Sequence, residues 1–196
     1  MNYEEKLERI IEKKEIVTTA EVEEEGIPRK YLTDLVRKNL IVRAKRGVYM
    51  AKSAAEDEMY ILQKNYSKAI FSHETALFMH DLIDRDPLKY CVTVPSGYNA
   101  TTLKEQGLDV YFVKKNLHML GVEQDKTIYG REVYIYDKER TICDIIRNRS
   151  TISAEILKVS LRTYISDENK NISKLMRYSK KLRVEKNLRR YLEILI

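Results

Sequence analysis

The chain has 196 residues, 43% hydrophobic and 34% charged, with a formal net charge of +6 and a pI near 9.1. This length suits a small domain followed by a medium one, and the basic excess favours an anionic partner. No apolar run approaches the roughly 20 residues that span a bilayer, and the start has neither a basic n-region nor an apolar h-region. Cys91 and Cys143 stand far apart among apolar neighbours. The expectation is a cytoplasmic protein with reduced core thiols, no disulfide and no cysteine metal site.

Charge breaks at Gly26. Residues 1–26 carry nine glutamates against four lysines and arginines, whereas residues 27–52 carry eight lysines and arginines against Asp34 alone. Leu7, Ile10 and Ile11 recur at helical spacing and predict an amphipathic helix over residues 2–14. Thr18 and Thr19 offer an N-cap ahead of Ala20, and Glu21 and Glu23 complement the dipole of a short second helix ending near Glu25. Gly26 permits a sharp turn, and Pro28 suits the first position of a third helix over residues 29–39. On that helix Tyr31, Leu32, Leu35 and Val36 make one apolar stripe. Lys30, Thr33, Asp34 and Arg37 lie opposite, with Arg29 and Lys38 at the flanks. Residues 41–50 alternate apolar with basic side chains around Gly47, as a β-hairpin does.

Helix, tight turn, helix and hairpin, in that order, predict a winged helix-turn-helix domain over residues 1–54. Duplex recognition needs cations that follow phosphates and an element that reaches base edges. Arg29, Lys30, Thr33 and Arg37, with Lys38 beside them, are the candidates at the major groove. Arg43, Lys45 and Arg46 of the wing are candidates for phosphate or the minor groove. Arg37 is the candidate for a two-pronged guanine contact. Asp34 either accepts from a cytosine amino group or pairs along the helix with Lys30 or Lys38.

Residues 51–57 are small and polar, and the boundary is expected there, leaving 55–196 as the second domain. Helices are expected at 58–66 and 72–81, the latter capped by Ser72 and burying Ala76, Leu77 and His80. Asp86-Pro87 breaks the chain before a strand at 90–94. A helix near 102–106 and strands at 110–113, 117–122 and 133–136 complete a small mixed sheet. Helices follow at 138–148, 153–165, 172–182 and 185–195. The fold class is therefore α+β: a winged helix-turn-helix, then a mixed α/β domain ending in a helical bundle. Residues 174–190 hold eight lysines and arginines against Glu185, which makes Lys180, Lys181 and Arg183 a second set of candidate DNA contacts. Tyr178 and Tyr191 between them either stack on bases or anchor the core.

Certain stretches of this layout are family-like: Thr18-Thr19-Ala20-Glu21-Val22, Gly26-Ile27 leading into Tyr31-Leu32, and Val42-Arg43-Ala44-Lys45-Arg46-Gly47-Val48-Tyr49. Ser72-His73-Glu74-Thr75-Ala76-Leu77, Val92-Thr93-Val94-Pro95 and, most distinctively, the run from Tyr136 through Asp137, Glu139 and Arg140 to Asp144 continue the pattern. Across nearly its whole length the chain resembles the AbiEi family, the antitoxins of bacterial type IV abortive-infection toxin–antitoxin systems. The resemblance implies a protein that binds inverted repeats in its own promoter and represses it. It also implies a C-terminal domain, carrying Ser72, His73, Glu74, Asp137, Glu139, Arg140 and Asp144, that opposes a nucleotidyltransferase-like toxin without a stable complex. Two copies would occupy the operator, from a monomer or weak dimer in solution.

Catalysis finds little support among these residues. Adjacent Ser72, His73 and Glu74 do not form a relay by adjacency, because successive helical residues point about 100° apart. Ser72 is more simply a cap. His73, His80 and His118 lack a ligand array. Arg140 and Asp144 are spaced to pair, either as a network fixing the sheet to the C-terminal helices or as part of the antitoxin surface. No phosphate-binding glycine loop or dinucleotide fingerprint is present, so no catalytic residue, metal or cofactor is expected. The alternatives are a winged-helix-guided nuclease or nucleotidyltransferase-like enzyme using Glu139 and Asp144, and a module binding an acidic protein.

Overall fold

A computed structural model describes residues 2–195, which form helices and two sheets in two compact units, Met1–Ser67 with Lys126–Val133, and Lys68–Asp125 with Tyr134–Ile196. Among the described residues no helix is long and apolar enough to cross a membrane.

The first unit opens with α1 (Tyr3–Lys14), whose N-terminus is closed by a reciprocal capping box between Asn2 and Glu5. The same device, Thr18 with Glu21, starts α2 (Thr19–Glu24). Between them lies β1 (Ile16–Thr18), three residues too short to read as a strand from sequence. Helix α3 (Lys30–Arg37) follows the turn at Gly26, with Pro28 just ahead of the helix, its carbonyl accepting from Tyr31. Strands β2 (Ile41–Lys45) and β3 (Val48–Ala51) pair antiparallel, and β1 adds to the other edge of β3, giving the order β1-β3-β2.

Successive strand residues face opposite sides, and here both sides are apolar. Val17 joins Leu7, Ile11, Val22, Ile27, Leu32, Leu35 and Ile41 in the core under the three helices. Ile16, Val48 and Met50 face the other way, where Ile61 of α4 (Glu58–Asn65) covers them. The boundary expected after residue 54 thus falls inside this unit. The polar run at 51–57 leads into a helix that shields the second face of the sheet. Asp57 caps that helix by accepting from Tyr60 N, and its other carboxylate oxygen accepts from Thr127 and pairs with Arg131 at 3.5 Å.

The second unit contains β4 (Ile70–Phe71), α5 (His73–Met79), β5 (Cys91–Pro95), α6 (Thr101–Glu105) and β6 (Asp109–Val113). β7 (Val122–Lys126), β8 (Glu132–Tyr136), α7 (Lys138–Arg147), α8 (Ala154–Ser166), α9 (Ile172–Lys181) and α10 (Glu185–Leu195) follow. The sheet order is β6-β5-β4-β8-β7, with β4 antiparallel to β5, and both β4–β8 and β5–β6 parallel. The strand expected at 117–122 is instead a 3-10 turn, Lys115–Leu117, and a bend at Gly121 (φ +76°) before β7. The carbonyls of Leu117 and Leu120 turn to the Arg140 guanidinium and cannot serve a ladder there. Eight consecutive residues of α7, Glu139 to Ile146, are buried, which makes it the central helix of a core shared with α5, α8, α9 and α10.

Ile61→Ala should lower stability by about 2–5 kcal/mol, the usual cost of a cavity at a closed apolar site. Urea denaturation followed by circular dichroism would measure it, and a change under about 0.5 kcal/mol, the size of an ordinary surface substitution, would show that α4 does not cover the sheet.

Candidate functional site

Helix α3 is held by one side. Leu32 and Leu35 are fully buried, and Tyr31 and Val36 pack at the edge of the same core. That phase leaves Arg29, Lys30, Thr33 and Arg37 exposed, with the Lys30 ammonium 5.1 Å from the Tyr31 ring centre. On the hairpin, Arg43 and Arg46 are exposed and Lys45 is half-buried. The hairpin turn is fixed to α2, since Gly47 O accepts from Thr19 N at 2.9 Å.

Some of the acidic residues of this unit are paired with its cations. Glu25 pairs with Lys6 at 3.4 Å, Glu21 with Lys64, and Glu15 with Arg131 at 2.6 Å. Lys38 departs from the expected arrangement: its ammonium pairs with Glu4 of α1, across the helix interface rather than along α3 with Asp34. The Glu4 carboxylate raises the Lys38 pKa above its ordinary value. Among the described residues, Arg29, Arg37, Arg43 and Arg46 have no carboxylate within ion-pair distance, and they are the open cations of this face.

The second-unit motif is brought together, but inside the protein. Ser72 occupies the N-cap position of α5 without capping it. Its hydroxyl accepts from Thr93 Oγ1 at 2.8 Å and lies 3.0 Å from His73 Nδ1. A left-handed backbone at His73 (φ +50°) makes this neighbour contact possible, against the helical geometry expected for adjacent residues. The His73 ring stacks on Tyr111 at 3.4 Å between centres, and Asn148 donates to Nε2 at 2.9 Å, so Nδ1 carries the proton. Burial holds this imidazole neutral, its pKa down at about 3. With Ser72 at 0% and His73 at 1% exposure, no substrate reaches the pair. Glu74 is half-buried, and burial raises its carboxyl pKa.

Asp137 caps α7 through Arg140 N at 2.7 Å. Its second oxygen accepts from Tyr178 OH at 3.3 Å and pairs with Lys174 at 3.1 Å. Glu139 accepts from Tyr164 OH and pairs with Lys174, ties that hold its carboxyl below the ordinary range against the push of burial. Arg140 is 0% exposed, donates from Nε to Asp144 at 2.9 Å and from Nη1 to Leu117 O and Leu120 O, each at 2.7 Å, and lies 4.1 Å over the Tyr136 ring. Burial pushes the Asp144 carboxyl up, and the Arg140 guanidinium opposes that push. The run forms a buried network with Tyr164 of α8 and with Lys174 and Tyr178 of α9. Glu139 and Asp144, the carboxylates an enzyme would need, are 5% and 2% exposed and already paired.

The remaining candidates are dispersed. His80 Nε2 lies 2.8 Å from Tyr136 O, and His118 Nε2 meets Lys68 O and Thr93 O. Among the described residues no three His, Cys, Asp or Glu side chains gather as a metal site. Cys91 and Cys143 are buried thiols, and burial pushes Cys91 up to about 11. Tyr178 is 8% exposed and Tyr191 packs against the core, so both are anchors. Lys180 is exposed on α9, whereas Lys181 and Arg183 line a pocket with Lys114, Arg147 and Arg149. Sequence reasoning missed those three, because cations far apart in the chain leave no local pattern.

Residues 5–52 match the family model described as transcriptional regulator, AbiEi antitoxin. That segment runs from α1 through the β2–β3 hairpin and contains all the exposed cations named above on α3 and the hairpin; the second-unit motif lies outside it. No curated protein matches the chain. Among solved structures, the crystal structure of the RV2827C protein from Mycobacterium tuberculosis is 13% identical, with 92% of this chain and 75% of that chain covered at a TM-score of 0.48.

A Cβ at Gly121 would sit 2.7 Å from Arg140 Cβ and 2.9 Å from Asp137 Oδ2, on a left-handed backbone. Gly121→Ala should therefore cost about 3 kcal/mol in urea unfolding, from crowding and backbone strain together. The His73 ring carries a pH dependence. Its folded pKa lies below the unfolded value of 6.5, so the unfolded chain takes the proton first as pH falls. Its stabilisation is complete above about pH 6.5 and is lost at about 1.4 kcal/mol per pH unit below it. Between about pH 6.5 and pH 5 the wild type should lose about 2 kcal/mol more than His73→Gln, with Asp144 contributing equally to both.

Proposed function

We propose that this protein is a DNA-binding autorepressor with antitoxin activity, its first unit a winged helix in which α3 enters the major groove and the β2–β3 hairpin is the wing. One observation carries the reading: the open cations Arg29, Arg37, Arg43 and Arg46 sit on α3 and the hairpin, within the segment that matches a transcriptional-regulator antitoxin family. Arg37 reads guanine through O6 and N7, and Thr33 and Lys30 contact the groove beside it. Arg43, Lys45 and Arg46 hold phosphates or the minor-groove edge. Lys38, engaged with Glu4, contributes charge at the rim. The site is an inverted repeat in the protein's own promoter, occupied by two copies whose spacing follows the helical repeat of DNA.

The antitoxin role belongs to a type IV abortive-infection system, in which the protein opposes a nucleotidyltransferase-like toxin without a lasting complex. The buried second-unit motif supports this role as scaffold, by fixing α7 among its neighbours, and any surface that acts against the toxin lies elsewhere on that unit.

Titration of the upstream inverted repeats with full-length protein should give specific binding that weakens steeply with salt. The double reversal R37E/R46E should weaken it at least about 100-fold and flatten the log–log salt slope by about 0.9 for each phosphate that is no longer neutralised. Sequence-specific binding retained by the double variant would sink the assignment of α3 and the hairpin.

A further inference from the structure

The pocket lined by Lys181 and Arg183 has a volume of about 720 Å³, and the described residues that line it include no carboxylate. Its cations come from three places: Lys114 follows β6, Arg147 and Arg149 lie at the end of α7, and Lys181 and Arg183 at the end of α9. Among the described residues none of the five has an ion-pair partner, and Glu185 beside them in sequence is turned to Arg189. Five like charges converging in a concavity repel one another, and its low-dielectric walls focus the field on whatever anion enters.

The backbone reverses at the pocket. Helix α9 ends in a reversal in which Val184 N donates to Ser179 O and Arg183 takes the left-handed position (φ +61°), a place glycine fills without strain. This reversal aims the Arg183 side chain into the cavity wall, as Asn39 and Asp81 end α3 and α5 in the same left-handed conformation elsewhere in the chain. Asn116 and Asn187 add amides to the wall, while Leu117, Leu182 and Val184 give it an apolar portion. A duplex backbone laid on a surface uses cations and amides but not the apolar wall made by the buried Leu182 and Val184. A nucleoside carrying clustered phosphates uses all three, and the volume is that of a small-molecule site.

We infer that this pocket binds a nucleoside triphosphate, with the phosphates among Arg147, Arg149, Lys181 and Arg183 and the nucleoside against the asparagines and the apolar wall. The inference is separate from operator recognition by the first unit.

Calorimetric titration of full-length protein with ATP, GTP, CTP and UTP, and in parallel with tripolyphosphate, tests it. At least one nucleotide should bind saturably and tighter than tripolyphosphate. Arg147→Ala and Arg149→Ala, both exposed positions, should each weaken that nucleotide at least tenfold while leaving the circular dichroism spectrum and operator binding unchanged. The inference is overturned if no nucleotide binds, if tripolyphosphate binds as tightly, or if both variants bind as the wild type does. It is overturned equally if the two variants lose operator binding in step with nucleotide, which would assign the pocket to the DNA backbone. Loss of operator binding in R37E/R46E with nucleotide binding intact would keep the two sites distinct.

Discussion

The second unit is organised around one desolvated charge. A guanidinium with no exposure must find partners for its five N–H groups inside the protein, or the cost of burying it destabilises the fold by several kcal/mol. Arg140 meets three of these with Asp144 and two backbone carbonyls, and the two N–H groups of its Nη2 have no hydrogen-bond partner among the described residues. Each partner constrains something else. Supplying Leu117 O and Leu120 O bends the chain where a strand was expected, the bend requires glycine at 121, and Gly121 O in turn accepts from Asp137 N. The first residues of α7 are therefore set by the same knot that sets the turn before β7.

That knot explains why the most distinctive run of the sequence is invisible from outside. A charged run ordinarily marks a solvated face, yet Asp137, Glu139, Arg140 and Asp144 are all buried, each paired with a tyrosine, a lysine, a carbonyl or one another. Buried polar groups in this density specify one arrangement, since any alternative leaves a charge unpaired.

Much of the architecture was legible in the sequence because it rests on local rules. The threonine cap at residue 18, the glycine at 26, the alternation about Gly47 and the apolar stripes of α7 to α10 each act within a few residues, and all lie where the sequence placed them. What escaped depended on distant partners. β1 and β4 are too short to announce themselves. α4 looked like the start of a new domain, although Val48 and Met50, apolar on the face opposite Tyr49, already signalled that the sheet needed a cover on both sides. Of the candidate site, the exposed residues of α3 followed from helical phase alone. The Glu4 partner of Lys38, the contact between Ser72 and His73, and the gathering of Lys114 with Arg147 and Lys181 required the chain to be folded first.

The return of Lys126–Val133 to the first unit has a consequence for how that unit comes into being. Asp57, which starts α4, is tied to Thr127 and Arg131, so a contact spanning about seventy residues closes the unit. Chain emerging from a ribosome can form the three helices and the hairpin early, but the last ties wait until Arg131 itself has been made, and long-range closure of this kind is slow. Residues 1–54 thus stop short of the unit, which also takes in Asp57, Thr127 and Arg131. The unit is sewn by a thread that leaves, builds much of a second body, and comes back to finish the first.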